Sequence, residues 1–369
     1  MKVLSALCLT VLICGCAQGS EPVLKDAFAK QFLMGAALND DVVSGKDPGA
    51  AAIVEKHFNT ITPENVMKWA LIHPEPNKYD FAAADRFVEF GQKHKMFIVG
   101  HTLVWQNQIP DGAFRDDSNN LLGRDAMLGR MKDHIATVVG RYKGKVNGWD
   151  VVNEALSDSG PLRKTKWVET VGEDFIQKAF EYAHEADPNA ELYYNDFSLD
   201  KPAKREATVR LAKDLKAKGL RIDGVGIQGH WGMNYPSRED LEAFINAVAA
   251  LGVKVMITEM DIDILPSATQ YRGADINVRV ELRKELNPYV DGLPDDMQQK
   301  LSDRYTELFS ILVKNADKVD RVTFWGVYDK TSWLNNYPVR GRTNYPLLFD
   351  RDYKPKPAFD AVIKTAQAK

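Results

Sequence analysis

The chain has 369 residues, of which 44% are hydrophobic and 27% charged, and its formal net charge at pH 7 is -3. This composition is typical of a globular protein with a large core, and it excludes the disordered and fibrous classes. The weak negative charge gives no field that would attract nucleic acid or an anionic membrane surface, so we expect a neutral substrate or partner.

The first residues, MKVLSALCLTVLICGC, predict an export signal. A basic residue precedes an apolar run that is shorter than the ~20 residues of a membrane-spanning helix. The ending Ile13 to Cys16 resembles a bacterial lipobox, in which the cysteine is lipidated and becomes the new N-terminus. We therefore expect a lipoprotein-type signal peptide over residues 1–15, lipidation of Cys16 and a short tether over residues 16–23.

A plain secretory signal is the alternative interpretation of this segment. Lipidation implies a location at the outer membrane or the cell surface, with the lipid anchor as the only membrane contact. The alternative implies a periplasmic or secreted protein. All three cysteines lie in the first 16 residues, so the mature chain is not expected to form an internal disulfide.

Beyond the tether, short apolar runs rich in β-formers alternate with segments of helical periodicity. The eight runs begin at Phe32, Phe58, Phe97, Val146, Glu191, Val225, Val253 and Arg321. Eight strands alternating with eight helices predict a single (β/α)₈ TIM barrel, which we place over residues 24–369. An open doubly wound sheet satisfies the same alternation, but no glycine-rich nucleotide motif follows a strand.

Two helical segments are especially clear. The segment EDFIQKAFEYAHEADP places apolar residues from Phe175 to Ala183 on one face and ends before Pro188. The segment SREDLEAFINAVAALG is predicted to begin with Ser237 as its cap and to stop at Gly252. The longest expected insertion in the barrel is Pro266 to Gln299, after the seventh strand.

Polar and aromatic residues accumulate where the predicted strands end. In chain order they are Glu64, Asn65, Lys68, His101, Trp105, Asn153, Glu154, Asn195, Asp196, Gln228, His230, Glu259, Asp261, Asp263 and Trp325. The carboxyl ends of the strands of such a barrel meet at one rim, where active sites of this fold are built. A single glutamate at a strand end is ordinarily a solvated rim residue, but this accumulation predicts a site.

The residue types narrow the chemistry of that site. No serine or cysteine lies in a nucleophile elbow, and the histidines lack the HxH or HExxH spacing of a metal site. We therefore expect no metal and no cofactor. Paired carboxylates remain, with Glu154 and Glu259 best placed, and two carboxyls across a barrel mouth can split a glycosidic bond.

Tryptophans near turn residues are expected to offer flat faces to sugar rings. We expect this role for Trp69, Trp105, Trp325 and Trp333, whereas Trp149 and Trp167 are expected in the core.

Seven motifs in order resemble glycoside hydrolase family 10, whose characterised members are mainly endo-β-1,4-xylanases with a (β/α)₈ fold. They are TPENVMKW at Thr62, GHTLVWQNQIP at Gly100, WDVVNEA at Trp149, YYND at Tyr193, GIQGH at Gly226, ITEMDI at Ile257 and FWGVYDKTSW at Phe324. The resemblance implies a retaining endo-β-1,4-xylanase that acts on xylan or xylo-oligosaccharides by double displacement. We expect it to act as a monomer.

The resemblance also implies residue roles. Glu154 is the expected general acid/base and Glu259 the expected nucleophile, supported by His230 and Asp261. The substrate-binding residues it implies are Glu64, Asn65, Lys68, His101, Trp105, Gln108, Asn153, Asn195, Gln228, Trp325 and Trp333. We expect Glu259 and partial desolvation to raise the pKa of Glu154 so that it keeps its proton.

The sequence departs from the family pattern at two positions near these motifs. Gln106 stands where a histidine is common and Met260 where a leucine is frequent, and neither is expected to touch the catalytic pair. Within the predicted insertion, Tyr271 and Arg272 are candidates to contact a substituted sugar chain on the reducing side, although exposed loop residues are an equal interpretation.

Two other functions remain open at this point. The chain is alternatively a non-catalytic xylan-binding lipoprotein that keeps the groove, although a pure binder gains little from two mutually repelling buried carboxylates. It is alternatively a related retaining β-1,4-glucanase, which turnover on xylan and on carboxymethyl-cellulose would distinguish.

Overall fold

Nine parallel strands form the centre of the part of the chain that the structure describes. They are β1 (Leu33–Leu38), β2 (Thr60–Pro63), β3 (Phe97–Val104), β4 (Gly148–Asn153), β5 (Glu191–Asp196), β6 (Gly224–Ile227), β7 (His230–Gly232), β8 (Lys254–Asp263) and β9 (Val319–Phe324). The computed structural model describes residues 21–268 and 274–367. The expected signal peptide over 1–15, Cys16, most of the tether, and Tyr271 with Arg272 lie outside the described residues.

Eight of these strands close into a barrel. Each of β1 to β5 pairs with the next strand, β6 pairs directly with β8, and β9 joins β8 to β1. The eight predicted strands are these barrel strands, so the predicted (β/α)₈ fold is confirmed. The short strand β7 was not predicted, and it pairs with the extended end of β8 from His230 opposite Asp261.

Helices surround the barrel. Those of ten or more residues are α3 (Pro48–His57), α5 (Ala82–Lys93), α6 (Arg124–Arg141), α8 (Phe175–Ala186), α9 (Pro202–Ala217), α10 (Arg238–Ala249), α11 (Asp295–Lys314) and α12 (Pro357–Gln367). The short ones are α1 (Leu24–Ala27), α2 (Asp40–Val43), α4 (Trp69–Ile72) and α7 (Lys166–Thr170). One long helix follows each barrel strand, which is the repeating unit of this fold.

The two clearest sequence predictions of helices hold. Helix α8 buries Phe175, Ile176 and Phe180 against the barrel. In α10, the Ser237 side chain accepts a hydrogen bond from the Asp240 N–H at 3.1 Å, as an N-cap does. The helix ends at Ala249, earlier than expected, and Gly252 lies beyond it with a φ of +68°.

The predicted insertion after β8 is shorter than Pro266 to Gln299, because α11 begins at Asp295 and its first turns include Gln299. The Asp-rich start of α11 favours this helix, since acidic residues stabilise a helix N-terminus. The connection after β9, residues 325–356, is at least as long, so the segment after β8 is not the only large insertion.

The barrel interior is filled by side chains. Val99, Tyr193 and Met256 pack together inside it, and every residue of β4 is buried. Gly100 is required here, because a Cβ at this position would lie 2.1 Å from a ring carbon of Trp149. This packing fixes the strands rigidly, so the residues at their carboxyl ends are held in defined positions.

Candidate active site

Two buried glutamates stand near each other in the chain's fold, one just after the end of β4 and one in the second half of β8. Glu154 follows Asn153, the last residue of β4, and Glu259 lies within β8. Glu154 is 7% exposed and Glu259 is 5% exposed. Such burial of a carboxyl group requires hydrogen-bond partners, and each glutamate has its own set.

The carboxyl group of Glu154 accepts hydrogen bonds on both oxygens. Trp105 Nε1 at 2.9 Å and Gln106 Nε2 at 3.2 Å donate to Oε2, and Gln228 Nε2 donates to Oε1 at 2.9 Å. The expectation that Gln106 stays away from the catalytic pair is therefore wrong. Strand β3 ends at Val104. Trp105 and Gln106 lie beyond it, so their side chains need not point to opposite faces as they would in a strand, and both reach Glu154.

The backbone of Glu154 adopts a conformation that most residues avoid. Its φ is +58°, in the left-handed region. The amide N–H of Glu154 donates to the Asn195 carbonyl at 2.9 Å, and the Glu154 carbonyl accepts from Arg163 Nε at 3.1 Å. These two hydrogen bonds hold Glu154 in its left-handed backbone conformation. Residues in such unfavourable backbone conformations are concentrated at functional sites.

The pKa of Glu154 is raised. Burial is the largest cause, the negative charge of Asp196 is the next, and the charge of Glu259 adds a smaller contribution. Hydrogen bonds from Gln228 and Trp105 oppose the rise. The direction is the one expected from the sequence, but Asp196 contributes more than Glu259.

Glu259 has the opposite tendency. Burial acts to raise its pKa, but the hydrogen bond from His230 and the charges of His101, His230 and Lys68 outweigh burial, so the pKa is lowered. His230 Nε2 lies 3.1 Å from Glu259 Oε2, and Asn195 Nδ2 donates to Oε1 at 2.8 Å. The surroundings of Glu259 thus favour its ionised form, whereas those of Glu154 favour its protonated form.

A chain of hydrogen bonds supports Glu259 through His230. The other ring nitrogen of His230, Nδ1, lies 3.1 Å from Asp261 Oδ1, and Trp333 Nε1 donates to Asp261 Oδ2 at 2.7 Å. Burial acts to lower the pKa of His230, but Asp261 and Glu259 raise it to about 10. The imidazole is therefore a cation with one N–H directed at each carboxylate. His230 and Asp261 thus lie within hydrogen-bond distance of one another, and His230 of Glu259.

Amide side chains connect the two glutamates. Asn195 Nδ2 lies 3.0 Å from Asn153 Oδ1, and Asn195 Oδ1 accepts from Thr258 Oγ1 at 2.6 Å. Gln228 Nε2 lies 3.3 Å from Asn153 Oδ1 as well as donating to Glu154. These three predicted amides are buried and share one network between Glu154 and Glu259.

Lys68 is a buried residue whose pKa is affected by the negative charges of both glutamates. Burial lowers its pKa, while the charges of Glu259, Glu64 and Glu154 act against this. Its Nζ donates to Asn65 Oδ1 at 3.0 Å. Burial also raises the pKa of half-buried Glu64, with Lys68 opposing the rise. Glu64, Asn65 and Lys68 therefore form one polar group after β2.

Aromatic rings border the same region. The Nζ of Lys68 lies 5.1 Å from the ring centre of Trp105 and 5.9 Å from that of Trp325. The ring of His101 packs edge-on against Trp325 at 5.4 Å, and its Nδ1 lies 2.9 Å from Asp150 Oδ2. Half-buried Trp333 retains exposed surface beside these residues.

Three sequence expectations about rings and rim residues have clear outcomes. Trp149 and Trp167 are core residues, each 1% exposed, as expected. Trp69 is not available to a sugar, because it is buried and stacks on His134 at 3.6 Å between ring centres. Gln108 is exposed, and its backbone carbonyl accepts from the Ala70 N–H at 2.8 Å.

Sequence reasoning missed the contributions of Gln106 and Asp196. Asp196 follows Asn195, which lies opposite Asn153 in the register of β4 and β5, so it lies beside Glu154. Lys204 Nζ donates to Asp196 Oδ1 at 2.7 Å and Tyr194 donates to Oδ2 at 2.6 Å. The sequence does show that Asp196 is a polar residue at the end of a predicted strand. It does not show that Glu154 is its neighbour on the adjacent strand, because that depends on the register of β4 and β5.

Within residues 21–268 and 274–367, no three His, Cys, Asp or Glu side chains are grouped as a metal site requires. Among the same residues, each helix is too short or too polar to cross a membrane.

Comparison with known proteins identifies relatives along nearly the whole chain. Residues 23–365 match the family model of glycosyl hydrolase family 10. An endo-1,4-beta-xylanase A of Xylanibacter ruminicola is 47% identical over 99% of this chain and 99% of its own length. A beta-1,4-xylanase of Dictyoglomus thermophilum is 44% identical over 94% of this chain and 92% of its own.

A solved structure of a GH10 endoxylanase from a sugarcane soil metagenome is similar to this fold. It superposes with a TM-score of 0.89 at 47% identity, covering 92% of this chain and 99% of that chain.

Proposed function

The chain belongs to glycosyl hydrolase family 10, and we propose on this premise that it is a retaining endo-β-1,4-xylanase that hydrolyses internal bonds of xylan. The observation that carries this proposal is the pair of buried carboxyl groups with opposite pKa directions, Glu154 raised and Glu259 lowered. One carboxyl that keeps its proton beside one that stays ionised is the combination that double displacement needs.

In the first step, Glu259 is the nucleophile. Its carboxylate attacks the anomeric carbon while Glu154 transfers its proton to the departing glycosidic oxygen. The positive charge of His230 and the amide of Asn195 keep Glu259 ionised in the free enzyme. The products of this step are a glycosyl ester on Glu259 and the released sugar chain.

In the second step, Glu154 changes its role. Once Glu259 is esterified its negative charge is gone, so one cause of the raised pKa of Glu154 is removed. The ionised Glu154 then takes a proton from water as the water attacks the ester, and donors from Trp105, Gln106 and Gln228 stabilise its carboxylate. The carboxylate of Glu259 is regenerated and the anomeric configuration is retained.

The surrounding residues are proposed to bind the sugars. Asn153 lies next to both carboxyl groups through its contacts with Asn195 and Gln228, which suits a bond to the 2-hydroxyl of the reacting sugar. Glu64, Asn65, Lys68 and His101 supply hydroxyl-binding groups, with Trp105, Trp325 and Trp333 as the apolar faces. Exposed Gln108 is the one proposed residue at the rim of this set.

A reducing-end assay tests the function. The protein is expected to release short oligosaccharides from xylan far faster than from carboxymethyl-cellulose, and Glu259→Ala is expected to lose several orders of magnitude in rate. Equal or faster turnover of carboxymethyl-cellulose would assign the enzyme to β-1,4-glucanases. Binding of xylan without any release of sugar would favour a non-catalytic binding protein.

We also propose that the protein is an exported monomer anchored by a lipid on Cys16. The support is the apolar run and the lipobox-like ending Ile13 to Cys16. Expression of Cys16→Ser with radiolabelled palmitate tests this, because the variant should lose the label and leave the membrane fraction. Equal labelling of the wild type and the variant would contradict the proposal. Light scattering of the mature protein tests the monomer.

A further inference from the structure

The formal net charge of -3 averages two ends of the barrel that differ in charge. Each long helix follows a strand and runs back beside it, so the helices begin at the active-site rim and end at the opposite end, which we call the amino-end face. Acidic residues lie in the first turns of α5, α6, α10, α11 and α12. Lysine or arginine lies in the last turns of α3, α5, α6, α9, α11 and α12. The amino-end face is therefore more basic than the rim.

Four exposed lysines lie in two adjacent turns of this face. Lys93 and Lys95 lie between α5 and β3, at the last residue of the helix and just beyond it, and Lys143 and Lys145 lie between α6 and β4. The two turns are neighbours because β3 and β4 are paired strands. We call these four residues the lysine patch.

The positive charge of the lysine patch is not neutralised by the protein. None of its four ammonium groups lies within ion-pair distance of a carboxylate of residues 21–268 and 274–367. The pKa of Asp85 is lowered mainly by the hydrogen bond from Arg141, and the charge of Lys145 contributes less. Asp85 is thus already paired, and the four charges of the patch remain available to a partner.

The preferences of helix ends do not account for these lysines. A cation in the last turn of a helix is stabilised by the helix dipole, and only Lys93 has such a place. Lys143 and Lys145 lie beyond Arg141, the last residue of α6. Lys95 has a φ of +53°, a left-handed conformation that favours glycine over lysine. Local structure therefore leaves three of the four charges unexplained.

The N-terminal tether leaves the described part of the chain at the same face. Glu21, the first described residue, forms an ion pair with Lys56 in the last turn of α3. Gln31 Nε2 donates to the carbonyl of Ala366, near the end of α12, at 3.3 Å. Cys16 precedes Glu21 by so few residues that a fully extended chain spans at most about 18 Å between them. A lipid on Cys16 would therefore hold the amino-end face close to a membrane.

The partner that fits these observations is an anionic lipid surface. Each lysine close to such a surface strengthens binding about fivefold. The attraction reaches about one Debye length, which is ~8 Å at physiological salt. The turns at the end of a barrel form its outer surface, so charges placed there meet an extended partner.

We propose that the lysine patch docks on anionic phospholipid headgroups, so that the amino-end face lies on the membrane and the active-site rim points away from it. The lipid anchor would supply attachment, and the patch would supply orientation. Glu154 and Glu259 lie towards the opposite end of the barrel, so the groove stays open to a polymer outside the membrane. The inference is independent of the reaction that the groove catalyses.

The first test measures vesicle binding by the mature chain carrying Cys16→Ser, which has no lipid. Vesicles that contain phosphatidylglycerol should sediment the protein, whereas vesicles of phosphatidylcholine alone should not. Binding should be lost as salt is raised to 1 M, where the Debye length is ~3 Å. Equal sedimentation with both kinds of vesicle, or with neither, would overturn the proposal.

Replacing the four lysines of the patch by glutamine should weaken binding to the anionic vesicles at least about tenfold. A control variant makes the same change of net charge on the rim side, at four exposed lysines of the connections after β4, β8 and β9. They are Lys164, Lys284, Lys330 and Lys354. The control should bind like the parent chain, and circular dichroism shows that both variants are folded. An equal loss in the two variants would contradict the assignment to the patch.

The orientation is tested with a single fluorophore. All three cysteines lie in the first 16 residues, so the mature Cys16→Ser chain accepts one new cysteine for labelling. A label at Gln92→Cys, next to the patch, should be quenched by a nitroxide carried on the lipid headgroup. A label at Ser118→Cys, in the connection after β3, should not be quenched. Equal quenching at both positions would refute the orientation, and neither result changes the outcome of the xylanase assay.

Discussion

Replacing Asp261 by asparagine should move the acidic limb of the pH–activity profile to higher pH. Asp261 Oδ1 lies 3.1 Å from His230 Nδ1, and the opposite ring nitrogen lies 3.1 Å from Glu259 Oε2. The substitution keeps the size of the side chain but removes the charge that keeps the imidazole protonated. Without the cation the pKa of Glu259 rises, so the nucleophile is protonated at a higher pH.

The size of the effect follows from the pKa of His230. Its rise from 6.5 to about 10 corresponds to ~5 kcal/mol in favour of the imidazolium, and Asp261 is the largest favourable cause. When that charge is gone, burial acts to lower the pKa of His230, which favours the neutral imidazole at mildly acidic pH as well. Losing one charge-assisted hydrogen bond to Glu259 costs about 1.5–3 kcal/mol. The expected loss in kcat/KM is therefore about 10- to 100-fold at mildly acidic pH.

The assay is kcat/KM on an aryl xylobioside across the pH range, for the wild type, Asp261→Asn and Asp263→Asn. Asp263 is a matched control on the same strand, because its carboxylate accepts from Asn344 Nδ2 at 2.7 Å and from the Leu265 N–H at 3.0 Å. The control should keep the wild-type acidic limb. An acidic limb that stays in place in Asp261→Asn, or that moves equally in both variants, would refute the reasoning.

Three further predictions address other parts of the molecule. Gln106→Ala removes a donor to the carboxylate of Glu154, so its pKa should rise and the basic limb should move to higher pH, whereas Asn107→Ala, which loses a bond to a backbone carbonyl, should leave that limb in place. Glu154→Ala should still be glycosylated by substrates with good leaving groups, and azide should restore turnover with a β-glycosyl azide as product; an α-azide would contradict the assignment of Glu259 as nucleophile. Gly100→Ala places a Cβ 2.1 Å from a tryptophan ring and should destabilise the fold by about 1–3 kcal/mol. Gly129→Ala, on an open helix surface, should instead stabilise the fold by about 0.5–1 kcal/mol. Urea unfolding measures both free energies, and equal effects of the two substitutions would refute the packing argument.

The sequence predicted the barrel because each strand is a short run of apolar and β-branched residues followed by a helix with its own start and stop signals. It also predicted that Glu154 and Glu259 lie at the same rim, since the carboxyl ends of parallel strands meet there. The observed register confirms the strands. The predicted insertion ran into the first turns of α11, because an acidic helix start and a polar loop have similar composition.

The contacts within the site could not be predicted in the same way. That Asp196 acts on Glu154 depends on the register of β4 against β5, which periodicity does not give. That Gln106 reaches Glu154 depends on the strand ending at Val104. Trp69 adjoins Lys68 in sequence, but helix α4 turns its ring into the core against His134.

The most direct test of the central claim is to trap the covalent intermediate. A 2-deoxy-2-fluoro-xylobioside with a good leaving group should inactivate the enzyme. The fluorine slows both formation and hydrolysis of the ester, but the good leaving group speeds its formation, so the ester accumulates. Peptide mapping by mass spectrometry should then locate one fluoroxylobiosyl group per chain on Glu259. A label on Glu154 or another carboxylate would contradict the account, as would an active enzyme that forms no adduct and releases products of inverted configuration.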